Sequence, residues 1–411
     1  LSFYRIWKIL PWSEQAGGAV ELGVVCTGCG SPVEQLEPDC LACKTVRPAA
    51  GWRQDPRLGL VMPDGRTITR RLGFGLTGSV YLAAREAGQD PVAIKVLKRE
   101  LAGDPELARR FRQEAVLTRS MQIPYIVPAY EWGTLPDGSP YFSMEYVQGV
   151  GLEQVLASQK QLDVDVVIGI ARQVLTALGA AHELGVIHRD LKPGNLMLMP
   201  GPDGKSEVRI LDFGFARLLS DRSSKSDKGD PFRLTQTATV FGTPTYMSPE
   251  QARGSLVADA RSDFYSLGVI LYQAIAGRPP FMGSKVAILD QHINVQPEKL
   301  SEFRKDVPPA LEKIVDSMLQ KDPAKRPSLA ANILKSLEVA FGPDTNRIDT
   351  GKFKVLPRAE LAAQVTRHVL HTDSLPVIRD VPQEPPKSRL KWVPVIVVGV
   401  LVVGVLLYLF L

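Results

Sequence analysis

The stretch His188-Arg189-Asp190-Leu191-Lys192-Pro193-Gly194-Asn195, followed by Asp212-Phe213-Gly214, decides the fold class and the chemistry of this chain. It brings a carboxylate, an ammonium group and an amide within a few positions of one another, and then adds a second carboxylate. Any one of these residues could be a capping or turn residue. The whole ordered set instead indicates transfer of a phosphoryl group, which needs positioning, metal ions and charge neutralisation more than covalent chemistry.

The polar residues of this stretch have expected roles in such a transfer. Asp190 can accept and orient the hydroxyl of the substrate, and Lys192 can reach the transferring phosphoryl group. Asn195 and Asp212 offer hard oxygen atoms to Mg²⁺, which prefers few protein ligands together with phosphates and water. We therefore predict a catalytic loop over the first motif and a magnesium site formed by Asn195 and Asp212.

A glycine-rich string, Gly73-Phe74-Gly75-Leu76-Thr77-Gly78-Ser79-Val80, lies upstream between two predicted strands, Thr67–Leu72 and Ser79–Ala84. A third β-rich run, Val92–Leu97, follows. Glycines let the backbone turn sharply and lie close over phosphates. The string leads into a strand and has no Gly-Lys-Ser/Thr after it, which argues against a dinucleotide fingerprint and against a P-loop.

A buried pair of opposite charges is predicted next to this string. Lys95 is flanked by apolar residues on the third strand, and Glu114 shares the inward face of the following helix with Leu107 and Phe111. That helix begins after Asp104, a good N-cap residue. An isolated lysine would more simply face water at a strand edge, but a carboxylate on an apolar face needs a partner. We predict a Lys95–Glu114 pair that holds the lysine against the phosphates.

The order of the predicted elements gives the fold class. Strands dominate up to about residue 145, and helical patterns dominate from Val164 onward, with strand-like pieces only near Leu196–Met199 and Val208–Leu211. A small β-rich part followed by a larger helical part is an α+β, two-lobed arrangement with a cleft between the lobes.

From about Arg66 to Phe341 the sequence resembles the eukaryotic-like, Hanks-type serine/threonine protein kinases, specifically the bacterial membrane-anchored type. It shows the glycine-rich loop, the Val92-Ala93-Ile94-Lys95 motif, the two motifs quoted first and Ser248-Pro249-Glu250, all in the order of the family. The resemblance implies the two-lobed kinase fold, ATP and Mg²⁺ as cofactors, and protein substrates. A pseudokinase, or a nucleotide-binding scaffold that signals by conformation, is the alternative; loss of Lys95, Asp190 or Asp212 would favour it, and all three are present.

The same resemblance assigns further residues. Asp263 and Gly268 match the central helix motif of the family, and Arg326 matches the arginine that pairs with Glu250. The implied catalytic residues are Asp190, Lys192, Asn195, Lys95 and Glu114. The implied ATP-binding residues are Leu72, Gly73, Phe74, Gly75, Gly78, Val80, Ala93, Lys95, Glu145, Val147 and Met197, with Met144 as gatekeeper and Glu145 to Val147 as the hinge.

Substrate class and regulation are also implied. Lys192, two residues after the catalytic aspartate, and Thr243, which would bond to Asp190 and Lys192, fit the serine/threonine pattern, although dual specificity stays open. Arg189 beside the catalytic base needs an anion, which a phosphorylated loop would supply. Thr235 and Thr237 resemble the phosphorylated pair of the bacterial kinases; the alternative is that they only keep the loop soluble. A homodimer that autophosphorylates in trans is the implied partner arrangement.

The cysteines form one local cluster. Cys26 and Cys29 make one CxxC knuckle, and Cys40 and Cys43 make another after ten intervening residues. Two such knuckles can hold one tetrahedral Zn²⁺ in a closed, structural site, as in a short zinc ribbon. Two disulfides are the alternative, which a reducing cytosol disfavours. A third hypothesis makes this zinc module the main function and the kinase its regulator.

The C-terminal end is predicted to cross a membrane. Val393–Leu411 is a run of 19 residues without a charge, close to the length that a hydrocarbon core requires. The alternative, a buried helix of the kinase core, is disfavoured because the core is complete before this run. Lys387, Arg389 and Lys391 precede it and place the kinase domain in the cytoplasm. The net charge of +5 is too weak to suggest a nucleic-acid partner.

These observations divide the chain into six segments. They are an N-terminal lead-in (1–25), a zinc-ribbon-like module that holds the four cysteines (26–46), a linker (47–65), the protein kinase domain (66–341), a disordered tether rich in Pro, Arg and Asp (342–391), and a transmembrane helix (392–411).

Overall fold

The computed structural model describes residues 24–26, 45–75, 77–200, 206–213, 244–254 and 259–343. Of the predicted zinc ligands only Cys26 lies in these ranges. Cys29, Cys40 and Cys43, the loop threonines Thr235, Thr237 and Thr243, and the C-terminal apolar run all lie outside the described residues.

The small lobe is built on a five-stranded antiparallel sheet. After two short strands near the N-terminus, its strands are β3 (Thr67–Phe74), β4 (Gly78–Ala84), β5 (Val92–Leu97), β6 (Ala129–Thr134) and β7 (Pro140–Glu145), in the spatial order β3-β4-β5-β7-β6. The three strands predicted from sequence are therefore confirmed, with β3 two residues longer than expected. Strand β5 is buried at every position because it lies in the centre of the sheet with apolar clusters on both faces.

One long helix packs against this sheet, after the short helix α1 (Arg99–Ala102). Helix α2 (Pro105–Met121) begins as predicted: the Asp104 carboxylate accepts hydrogen bonds from the backbone N–H groups of Glu106 (2.9 Å) and Leu107 (3.3 Å). The α2 face that carries Phe111 and Glu114 is buried, so the predicted inward face is correct. The helix thus carries a carboxylate into the space beneath the sheet.

The large lobe is mostly helical. Its helices are α3 (Leu152–Gln159), α4 (Val164–Glu183), α5 (Pro249–Ala252), α6 (Ala260–Ala276), α7 (Lys285–Asn294), α8 (Leu300–Phe303), α9 (Pro309–Met318) and α10 (Ala330–Phe341). A small sheet of β8 (Val150–Gly151), β9 (Leu196–Pro200) and β10 (Ser206–Ile210) lies beside them in the order β10-β9-β8. Both strand-like pieces predicted in this lobe are confirmed.

Helix α4 is long and apolar enough to cross a membrane by length and composition, but 61% of its apolar window is buried inside the protein. Its residues Val174, Leu175 and Leu178 are fully buried in the main core of the large lobe, together with most of α6. Its apolar character is therefore explained by the core that it helps to form.

The segment predicted as a linker packs against the small lobe. A short strand β2 (Arg53–Gln54) pairs antiparallel with β1 (Val24–Val25). Further along, the Gly59 N–H donates to Ile68 O (2.8 Å) and the Ile68 N–H donates to Leu60 O (2.9 Å), which extends the sheet beyond β3. Met62 is buried in the apolar cluster on the outer face of the sheet. Short loops interrupt the apolar alternation, so the sequence did not reveal this packing.

Helix α5 is tied to the base of the large lobe by a buried ion pair. The Arg326 guanidinium donates from Nη1 and Nη2 to the two carboxylate oxygens of Glu250, each at 2.8 Å. This confirms the pair expected from the resemblance. Burial alone would raise the pKa of Glu250, but hydrogen bonds from Arg326 and Ser262 lower it to about 2. The carboxylate is therefore ionised at neutral pH.

We expect Arg326→Met to lower the free energy of unfolding by about 3–5 kcal/mol, because it leaves a buried carboxylate without its counter-charge. Because the pKa of Glu250 is lowered from 4.5 to about 2 on folding, its contribution is full above pH 4.5 and is lost as the pH falls toward 2. Urea denaturation at neutral and acid pH measures both effects.

The control is Arg109→Met, which breaks the half-exposed ion pair with Glu106 on α2 and should cost no more than about 1 kcal/mol. Equal losses for the two variants would contradict the special role of the buried pair.

Candidate active site

The cleft between the lobes contains a lysine held by two carboxylates. Lys95 Nζ on β5 lies 2.7 Å from Asp212 Oδ1 and 3.3 Å from Glu114 Oε1. The side chains of Lys95 and Glu114 are 5% and 3% exposed, so this pair is shielded from water. The predicted Lys95–Glu114 pair is therefore present, and Asp212 joins it.

The charges of this group depend on one another. Burial would lower the pKa of Lys95, but the carboxylates of Asp212 and Glu114 reverse the effect and hold it above its usual value. Burial would raise the pKa of Asp212, and the ammonium group at 2.7 Å holds it below its usual value instead. For Glu114 burial is the larger effect and raises its pKa to about 7, consistent with its Oε2 atom, which has no partner among the described residues. The lysine is thus charged and its closest counter-ion is Asp212.

The catalytic loop presents a second pair at the mouth of the cleft. Lys192 Nζ lies 2.7 Å from Asp190 Oδ2, and both side chains are partly exposed. Asn195, at the end of the 3-10 turn Pro193–Asn195, donates from Nδ2 to Asp190 O at 2.8 Å. The Leu211 N–H in turn donates to Asn195 O (2.9 Å), so the loop and the strand end that carries Asp212 are held together.

A fully buried carboxylate on α6 fixes the backbone of this loop. Asp263 accepts hydrogen bonds from the N–H groups of His188 (2.9 Å) and Arg189 (2.8 Å), and its Oδ2 lies 2.8 Å from His182 Nε2. Burial opposes ionisation of Asp263, yet these bonds hold its pKa below the usual range. They support a strained backbone, because Arg189 has a φ of 65°.

Sequence reasoning missed two members of this support. His182 was not singled out, and no sequence signal marks it, since its contact with Asp263 spans two distant helices. Gln251 donates from Nε2 to Arg189 O at 2.8 Å. The Ser-x-x-Gln pattern that Ser248 and Gln251 form is a capping box, which could have revealed where α5 begins but not this contact.

His188 of the catalytic loop positions the segment that contains Asp212 and Phe213. His188 Nε2 lies 3.1 Å from Leu211 O, and the His188 and Phe213 rings meet edge to face with centroids 4.7 Å apart. Asp212, between these contacts, has a φ of 56°, a conformation that non-glycine residues adopt at a cost. The carboxylate is therefore directed into the cleft by constraints on both of its neighbours.

The glycine-rich turn connects β3 and β4. The Gly75 N–H donates to Gly78 O (2.8 Å), and a Cβ atom at Gly78 would lie 2.0 Å from Val96 O on the adjacent strand. Only glycine fits at this position. Phe74 is 41% exposed, and Lys98 Nζ lies 4.3 Å from its ring centroid.

An apolar cluster lies on the inner face of the five-stranded sheet. Leu72 and Val80 from the upper strands share one cluster with Ala93, Met197 and the predicted gatekeeper and hinge residues, Met144 and Val147. Glu145 ends β7, and its N–H donates to Pro128 O at 3.1 Å. The structure therefore brings together the residues predicted to sandwich adenine.

Asn195 and Asp212 are suitable ligands for Mg²⁺ because both carry side-chain oxygen atoms. The Nδ2 group of Asn195 is used by Asp190 O, so its amide oxygen is the atom that can bind a cation. The Asp212 Oδ1 atom forms the ion pair with Lys95. The Asp212 side chain is 33% exposed. The described residues contain no cluster of three or more His, Cys, Asp or Glu side chains that could hold a metal ion.

A small β-rich lobe, a large helical lobe and this set of charges in the cleft between them define a protein kinase domain. Residues 66–337 match the protein kinase domain family, and the chain belongs to it. The family implies ATP and Mg²⁺ as cofactors.

Similar proteins indicate which class of protein kinase this domain belongs to. The serine/threonine-protein kinase PknB of Mycolicibacterium smegmatis is 40% identical over 280 residues, which cover 67% of this chain and 43% of PknB. The serine/threonine-protein kinase pkn3 of Myxococcus xanthus is 38% identical over 295 residues, covering 70% of this chain and 52% of pkn3. The domain is accordingly a bacterial Hanks-type serine/threonine kinase domain. The chain spans about half the length of the curated relatives it matches.

A solved structure agrees with the fold. The kinase domain of Mycobacterium tuberculosis PknI superposes with a TM-score of 0.52 at 27% sequence identity, covering 69% of this chain and 98% of that domain.

Proposed function

We propose that the protein transfers the γ-phosphoryl group of ATP to serine and threonine hydroxyls of other proteins. The observation that carries this proposal is the ion-pair chain from Glu114 through Lys95 to Asp212, formed in the same cleft as the Asp190–Lys192 pair. A pseudokinase has no need to keep all of these groups in place.

Each group has a proposed task. Lys95, fixed by Glu114, binds the α- and β-phosphates, while Asn195 and Asp212 hold Mg²⁺, which neutralises the developing charge when bound. Asp190 accepts the proton of the substrate hydroxyl and orients its oxygen toward the γ-phosphate. Lys192, at 2.7 Å from Asp190, moves onto the transferring group. The glycine-rich turn excludes water above the phosphates, and the pocket beneath it binds adenine through Leu72, Val80, Ala93 and Met197.

We expect Asp212→Asn to lower phosphoryl transfer by about a hundredfold or more, because it removes a metal ligand and the closest counter-ion of Lys95. The variant should still fold, because the apolar core is unchanged, and its melting temperature is measured alongside to separate a loss of stability from a loss of catalysis. Autophosphorylation and transfer to a generic protein substrate, measured with labelled ATP, test this.

The matched control is Asp306→Asn, which alters an exposed aspartate far from the cleft. Undiminished transfer by the Asp212 variant would contradict the assigned mechanism. A wild-type protein that binds Mg·ATP but transfers no phosphate would instead support the nucleotide-binding scaffold.

We further propose that Arg189 is held by a phosphorylated activation loop, the segment from Phe215 to Thr243. Its backbone is fixed by Asp263 and Gln251, and a cation next to the catalytic base is well placed to bind a phosphothreonine. Thr235 and Thr237 are the proposed phosphate acceptors, and Thr243 is proposed to contact Asp190 and Lys192. The modification is proposed to occur in trans within a homodimer.

Thr235→Ala combined with Thr237→Ala should lower activity toward an added substrate by about tenfold, because the Arg189 anion is lost. Thr239→Ala is the control within the same loop. Mass spectrometry of the Asp212→Asn protein after incubation with wild type tests the trans reaction. Fully active enzyme without phosphate on either threonine would mean that Arg189 uses another partner.

We propose that Cys26, Cys29, Cys40 and Cys43 bind one structural Zn²⁺. The two CxxC knuckles support this, as does the position of Cys26, which is buried beside Val24 and Trp52 where the two-stranded β1–β2 ribbon ends. The site would fold the residues between the ribbon strands.

Metal analysis of the purified protein should give about one zinc per chain, lost when Cys26→Ser is combined with Cys29→Ser. Bound iron, or two disulfides in protein kept under reducing conditions, would contradict the zinc site.

We propose that residues 393–411 anchor the kinase domain to the cytoplasmic face of a membrane. The support is the length of this uncharged run and the three basic residues that precede it.

Gly399→Arg combined with Val403→Arg should release the protein into the soluble fraction, since each arginine at the centre of a span costs about 2.5–3.5 kcal/mol. Gly351→Arg with Val355→Arg, the same change in the proposed tether, is the matched control. Fractionation at high salt measures both. A doubly substituted span that still pellets would show that another part of the chain binds the membrane.

A further inference from the structure

The N-terminal segment that packs on the small lobe places a carboxylate at the base of the glycine-rich hairpin. Asp55 follows β2 directly, and its side chain is 1% exposed. Its Oδ2 atom accepts hydrogen bonds from Arg71 Nη2 on β3 and from Tyr81 Oη on β4, the latter at 3.0 Å. These three residues form a hairpin clamp, in which one carboxylate oxygen joins both strands of the hairpin that covers the phosphates.

The two donors lie opposite each other in the sheet. Arg71 and Tyr81 are paired in the β3–β4 register, and Arg71 Nη2 also lies 3.3 Å from Tyr81 Oη. Their side chains point to the outer face of the sheet, where Tyr81 belongs to the apolar cluster that Leu58 and Leu60 cover. The register shifts immediately beyond this pair, between Arg71 and Gly73. The hairpin clamp therefore lies next to an irregularity in the pairing, two paired positions before the glycine-rich turn.

The neighbours of these donors face the nucleotide pocket. Leu72 follows Arg71 and Val80 precedes Tyr81, and because side chains alternate along a strand, both point to the inner face. Both belong to the apolar cluster that contains the other predicted adenine contacts. Any shift of the Arg71–Tyr81 pair would move the two residues that form the upper wall of the adenine pocket.

Within the described part of the chain, Asp55 is the carboxylate that balances the charge of the hairpin clamp. Asp55 is the one carboxylate there within ion-pair distance of Arg71, whose Nε and Nη1 atoms are buried without a partner among the described residues. Removing the carboxylate would leave a buried cation unpaired, which destabilises the folded hairpin.

We propose that Asp55 is a positioning residue for ATP: it acts through Arg71 and Tyr81 to hold the glycine-rich hairpin over the nucleotide. The segment that carries it is then a working part of the nucleotide-binding lobe. This inference rests on the proposed kinase function.

The test compares full-length proteins, purified in detergent, with Asp55→Asn, Tyr81→Phe and the control Asp90→Asn. Asp90 is an exposed aspartate of the same lobe that forms an ion pair with Arg66 and is not paired with Arg71. KM for ATP and kcat are measured by phosphate transfer to a protein substrate, and the Kd for Mg·ATP is measured separately by calorimetry.

We expect Asp55→Asn to raise both KM and Kd for ATP by about fivefold or more, the lower end of typical coupling between sites, while kcat at saturating ATP stays within about twofold. Tyr81→Phe should act in the same direction with a smaller effect, and Asp90→Asn should have none. If Asp55→Asn fails to fold, Tyr81→Phe alone decides: an unchanged Kd for ATP would overturn the proposal.

A lower melting temperature for Asp55→Asn with unchanged KM and Kd would also overturn the proposal, because the role of Asp55 would then be structural only. Wild-type protein that binds ATP without transferring phosphate would contradict the kinase function and leave the binding test intact.

Discussion

The Lys95 ammonium group connects the two lobes through its carboxylate partners. Glu114 comes from the helix of the small lobe, and Asp212 comes from the strand end that the catalytic loop holds in the large lobe. Burying these charges is costly, and the cost is offset only while all three lie together. The position of α2 against the sheet and the conformation around Asp212 are therefore linked, and the cleft has a defined geometry because of that link.

The large lobe provides the matching constraint for the catalytic loop. Asp263 is fully buried on α6, in the centre of the helical core, and binds two consecutive backbone N–H groups of the loop. A rigid helix thus supports a backbone with an unfavourable φ at Arg189. The Glu250–Arg326 pair anchors the next segment of the chain to the same core. Rigid elements hold the reactive groups, as a reaction that depends on positioning requires.

The N-terminal segment before the kinase domain is part of the packed small lobe. Residues 55–62 cover the outer face of its sheet, and the ribbon of β1 and β2 lies directly before them. The Cys cluster begins at Cys26, where β1 ends, so the proposed zinc module is joined to the lobe by a short paired ribbon. Strand β2 leads directly to Asp55, so the ribbon that begins beside Cys26 is followed by the residue that contacts the glycine-rich hairpin.

The sequence by itself determined the fold class, the strands of the small lobe, the start of α2 and the identity of the residues in the cleft. These follow from local patterns: alternation along strands, an N-cap before a proline, and ordered motifs of reactive residues. Only the tertiary structure showed that Asp212 is closer than Glu114 to Lys95, that His182 and Gln251 support the catalytic loop, and that Asp55 clamps the glycine-rich hairpin. Each of these contacts joins residues far apart in the chain, where no spacing rule connects them. Their geometry is set by how the packed elements meet, which is a property of the whole core.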